Sequence, residues 1–165
     1  MANENAKMIA DVKKDRLRFT KNSKSAIFCY IAILFNVLYF AYIYSTDVGN
    51  YFYTIQIGAS VVYNLLFLLF TFLCSEGVKN YSRGYSIFLL IIGAMQIVRI
   101  FGIPLDAFTT TVNLAEGPVR VMGAFQFVVL VVLLLLSSAC CITGGIIGLV
   151  KTNTLENYKK ETGLS

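Results

Sequence analysis

One arginine stands inside an otherwise uncharged apolar stretch. Arg99 lies one turn before Gly102 and Pro104, with Gln96 three residues earlier on the same helical face. Gln56 and Gln126 fall in the outer third of two other apolar stretches. Polar groups in hydrocarbon are costly, so their positions carry information. Brought together, Arg99, Gln96, Gln56 and Gln126 would form a water-accessible recess with one fixed positive charge. That chemistry suits binding of a carboxylate, a phosphate headgroup or an acidic residue of a partner. In the competing reading, Arg99 snorkels to the outer interface and pairs with Asp106, Asp47 or Glu116, and the amides make interhelical hydrogen bonds. Asn36 and Asn64, near the middle of the first and second stretches, read as packing groups of that second kind.

The missing residue types exclude more. The chain has no histidine, so no Ser-His-Asp triad, Cys-His pair or His-ligated haem or zinc can be built from it. No Asp, Glu, Lys or His falls inside an apolar stretch, which disfavours proton coupling and a carboxylate-ring channel. No phosphate-binding loop, zinc motif or nucleophile elbow is present, and neither a metal nor a cofactor is expected. Cys29, Cys74, Cys140 and Cys141 form no Cys-x-x-Cys and lie toward the side read as cytoplasmic, so they are expected to be free, buried thiols.

A second constellation concerns packing. Ser137, Cys141, Gly145 and Gly148 fall close to one helical face, and Gly144 with Gly148 forms a Gly-x-x-x-Gly. Small faces of this kind let helix backbones approach closely. The face fits packing within the chain or a subunit interface equally well.

The elements that carry these residues follow from hydropathy. The chain has 165 residues, 57% hydrophobic and 14% charged, against about 25% charged in soluble domains. Crossing a bilayer takes about 20 apolar residues. Four segments qualify, at about 26–44, 51–74, 85–103 and 121–150. The expected fold is an all-α, four-helix transmembrane bundle. Residues 1–25 form a basic head, 102–120 an outer loop and 151–165 a tail. Pro104 is expected to break the third helix, and the Thr109–Thr111 run has strand or turn character. Both termini are placed in the cytoplasm, because Lys and Arg in the head, the second turn and the tail all fall on one side. Tyr42, Tyr44, Tyr51, Phe52 and Tyr53 ring the outer boundary.

The net charge of +5 is therefore a topology signal and not a nucleic-acid signal. A helical head would gather Met8, Val12 and Phe19 among basic residues, a face that can lie on anionic lipid. The layout of four spans with both ends inside is similar to that of claudin-like and MARVEL-type tetraspan proteins. The outer-loop cysteines or tryptophans diagnostic of those families are missing, so the layout implies no function. The expected function is non-catalytic: a small multi-pass subunit or scaffold in the plasma membrane. It would act through helix association in a homo-oligomer or with a membrane-complex partner. The alternative is a transporter or channel-forming protein with a recess around Arg99 for an anionic group, a lipid headgroup or a small solute.

Overall fold

The computed structural model describes residues 2–45, 54–114 and 117–163. Helix α1 (Ala2–Arg16) precedes α2 (Ser23–Tyr44), α3 (Thr54–Lys79) and α4 (Arg83–Val98). A 3-10 turn (Arg99–Phe101) leads into α5 (Ile103–Thr109), a hairpin of β1 (Thr111–Leu114) and β2 (Gly117–Arg120), and α6 (Ala124–Thr162). Among the described residues, four helical segments are long and apolar enough to cross a membrane: Ser23–Tyr44, Ile55–Lys79, Arg83–Thr109 and Ala124–Thr162. The class is all-α, and the hairpin is a small addition at one end. That end, farthest from α1 and from the end of α6, is called distal below; the opposite end is proximal.

Three boundaries differ from expectation for physical reasons. Helix α6 does not stop near Val150. It runs through the polar segment 151–162 and ends at Gly163, whose left-handed φ of 65° closes the last turn with a bond to Lys159 O. Hydropathy ends at Val150, but nothing there breaks a helix. At about 1.5 Å per residue its 39 residues reach about 58 Å, far beyond a ~30 Å hydrocarbon core. Pro104 starts α5, because a first-turn proline lacks only an N–H that would be unpaired anyway. The break itself is the turn at Arg99–Gly102. Phe19 lies beyond the end of α1, so it does not join Met8 and Val12 on that helix's exposed face.

Packing centres on α6, which touches α2 along one flank and α4 along the other. Helix α3 packs mainly on α2, with a looser seam toward α4. The small residues of α6 are the reason for its central place. A Cβ on Gly144 would meet Phe28 Cβ and Ser25 O at 3.2 Å, and one on Gly148 would meet Ser86 Oγ at 2.5 Å. Hydroxyls then bind backbone across the seams: Ser137 Oγ donates to Ala32 O at 2.9 Å, and Ser138 Oγ donates to Gly93 O at 2.7 Å. Ser137, Cys141, Gly144, Gly145 and Gly148 are all buried, so the small face of α6 is occupied within the chain.

Two apolar clusters result. The proximal one holds Cys29, Ala32, Phe67, Cys74, Leu89 and Cys141 among its members. The distal one holds Tyr39, Ile43, Ala107, Met122, Leu130 and Leu134. The four cysteines are free thiols, and three of them fill the proximal cluster as small apolar groups. Between the clusters lies a thin layer of buried polar side chains, one from each of α2, α3, α4 and α6.

Candidate functional site

The polar layer consists of Asn36, Asn64, Gln96 and Ser137, each at most 1% exposed. Its hub is Asn36. The Asn36 Oδ1 atom accepts from Gln96 Nε2 at 3.0 Å and from Arg99 Nη1 at 3.1 Å, while Asn36 Nδ2 donates to Asn64 Oδ1 at 3.3 Å. Asn64 Nδ2 donates in turn to Ser60 O at 2.9 Å, one helical turn back. The network ties α2, α3 and α4 at one depth.

Arg99 sits on the distal side of this layer. Its guanidinium carbon lies 4.3 Å from the Tyr39 ring centroid and 4.9 Å from that of Tyr63. Cation–π contacts contribute about 2 kcal/mol when desolvated, so the two rings substitute in part for a counterion. Among the described residues no ion pair reaches Arg99. Asp106 does not make the pairing considered for it, and Asp47 and Glu116 lie outside the described residues. The expected aromatic ring members Tyr51, Phe52 and Tyr53 also lie outside them.

Beside Arg99 opens a cleft of about 370 Å³, walled by Tyr39, Gln56, Ser60, Tyr63, Met95 and Asp106 among others. Three polar atoms nearby are shielded from solvent without a hydrogen bond of good geometry, Arg99 Nη2, Tyr39 Oη and Gln96 Oε1, although the first two residues interact with each other. Unpartnered buried polar groups cost roughly 1–3 kcal/mol each, and more when charged. Natural structures keep few of them. No protein-family model, curated protein or solved structure matches the chain. The site's chemistry therefore rests on its own geometry.

Of the four residues expected in the recess, the structure brings Arg99 and Gln56 to the cleft wall. Gln96 touches the same network from inside, through Asn36 and Ser137 Oγ. Gln126 is elsewhere. Its Oε1 accepts from Gly123 N at 3.1 Å and caps the start of α6. The unpaired N–H groups of a helix N-terminus attract a nearby amide oxygen. Asn36 and Asn64 make an interhelical hydrogen bond of the packing kind, and Asn36 also accepts from the arginine. Tyr39 and Tyr63 were missed. A signal existed: each is adjacent to or one turn from a mid-span asparagine.

Proposed function

We propose that the protein is a small multi-pass plasma-membrane protein, both termini cytoplasmic, that catalyses no reaction and binds one negatively charged group at the Arg99 cleft. The observation that carries this reading is a half-buried guanidinium, flanked by two tyrosines and without an ion pair among the described residues, on the wall of an open cleft. The donors of the layer, with no histidine and no carboxylate among them, can hold an anion. The other reading, a scaffold acting through the small face of α6, finds that face occupied by α2 and α4.

The test uses butyl phosphate, a water-soluble anion, as the probe on the purified protein in neutral detergent. Butyl phosphate is expected to raise the melting temperature saturably. Hydrogen bonds to charged groups contribute about 1.5–3 kcal/mol, so Arg99→Gln should weaken binding by about ten- to a hundredfold. Equal stabilisation of both proteins would overturn the reading.

Orientation has its own test. With Cys29, Cys74, Cys140 and Cys141 replaced by alanine, a cysteine introduced by Thr110→Cys at the exposed distal end should react with an impermeant maleimide on intact cells. Reaction only after permeabilisation would reverse the topology.

A further inference from the structure

We infer that the group taken at Arg99 is the phosphate of an amine-bearing phospholipid, whose chain lies in the seam between α3 and α4. This rests on the anion-binding reading of Arg99 and names its occupant.

The Arg99 cleft does not end at its polar walls. A second groove, of about 210 Å³, adjoins it on the proximal side, and the two share Tyr63 and Met95 as walls. Its other walls are wholly apolar: Leu66, Phe67, Phe70, Phe88, Ile91 and Ile92. The groove is floored by the edge-on contact of Phe70 and Phe88, with ring centroids 5.5 Å apart. Beyond that, α3 and α4 close tightly, because Gly77 lies directly against Tyr85. The combined space is thus polar at one end and apolar along the rest, as an amphiphile requires.

Its length suits a lipid chain. From Ser60 to Phe70 is ten residues, about 15 Å of helix, which matches half of a ~30 Å hydrocarbon core. Arg99 to Phe88 on the facing helix is eleven residues, about 16 Å. A lipid with its phosphate at Arg99 would carry its chain to the Phe70–Phe88 floor.

The charges along the cleft have an order. Arg99 is half-buried, and Asp106 is exposed on α5, lining the same cleft. An anion alone would meet repulsion from Asp106. A headgroup with phosphate inside and ammonium outside meets complementary charge at both places. The ammonium's N–H groups suit a carboxylate better than a quaternary amine, which has none to donate. The chain itself adds little selectivity, since bilayer tails are as apolar as the groove. Discrimination therefore lies in the headgroup.

The experiment uses the full chain in nanodiscs with a trace of phosphatidylethanolamine carrying a mid-chain diazirine. Photolabel is expected to concentrate on α3 and α4. Unlabelled phosphatidylethanolamine should compete better than phosphatidylglycerol or phosphatidylcholine of the same chains. Arg99→Gln should lower the label by at least about tenfold, while Arg99→Lys, which keeps the charge, retains most of it. Asp106→Asn should remove the preference for phosphatidylethanolamine over phosphatidylglycerol. Label spread over all four spans, or equal competition by the three lipids in the unaltered protein, would overturn the inference. If butyl phosphate still stabilises the protein through Arg99 in that case, the anion site stands and only its lipid occupant falls. If neither binds, both fall.

Discussion

Gly145→Leu is expected to lower the melting temperature of the solubilised protein by several degrees without changing its oligomeric state. A Cβ at Gly145 would lie 2.7 Å from Leu90 Cδ2, 2.9 Å from Leu90 Cγ and 3.0 Å from Ser86 O. The leucine tip can turn away, but the Ser86 carbonyl belongs to the α4 backbone and moves only with the helix. Gly93 holds the same seam from the other side, its Cβ position 2.9 Å from Ile142 Cγ1. A leucine would thus pry α4 from α6, and Ser138 Oγ would lose Gly93 O. Overpacking costs roughly 1–3 kcal/mol, and a full leucine against backbone belongs near 3. Gly58→Leu is the control. Nothing lies within 4 Å of that Cβ position, and helix propensity favours leucine, so its melting temperature should hold or rise. Circular dichroism melts and light scattering on the eluted peak measure both quantities. A smaller oligomer at unchanged melting temperature would place the glycine face between subunits.

Two changes at Asn36 should separate. Asn36→Leu removes the acceptor shared by Gln96 and Arg99 and the donor to Asn64. An interhelical hydrogen bond in a membrane is worth only about 0.6 kcal/mol on average, because the separated helices find other partners. One of these bonds holds a guanidinium, however, and bonds to charged groups contribute about 1.5–3 kcal/mol. The sum puts Asn36→Leu about 3 kcal/mol below the unaltered protein. Asn36→Asp instead places a carboxylate where Arg99 Nη1 now donates at 3.1 Å. Arg99 is already desolvated there, so only the new carboxylate adds a desolvation cost, and their attraction offsets it. Asn64 can turn its amide to donate to the new oxygen. Asn36→Asp should melt no lower than the unaltered protein and should no longer be stabilised by butyl phosphate, its arginine now having a fixed counterion. Full stabilisation of Asn36→Asp by butyl phosphate would move the anion site away from Arg99.

The polar layer shows what was legible and what was not. Asn36, Asn64, Gln96 and Arg99 each stand out as polar residues among apolar ones, and that is visible residue by residue. Their convergence on Asn36 Oδ1 is not, because it depends on how each helix is rotated about its own axis. Gln126 illustrates the limit. Its depth resembled that of Gln56, yet it lies in the first turn of α6, where the backbone claims its oxygen. The glycines of α6 are a parallel case. Their spacing shows that some backbone comes close, and only the positions of Ser25, Phe28, Ser86 and Leu90 show whose.

By itself the sequence determined four apolar helices, one arginine isolated from the other charges, and a small-residue face on the last helix. Those are properties of composition and of a 3.6-residue period, and they need no knowledge of neighbours. The tertiary structure decided that α6 is central, that its small face is filled from within, and that Tyr39 and Tyr63 enclose Arg99 beside an open cleft. These depend on which helices pair and at what rotation. Lipid tails are as apolar as leucine, so hydropathy cannot choose among pairings. Close contacts at glycine and serine, and the few buried hydrogen bonds, make that choice.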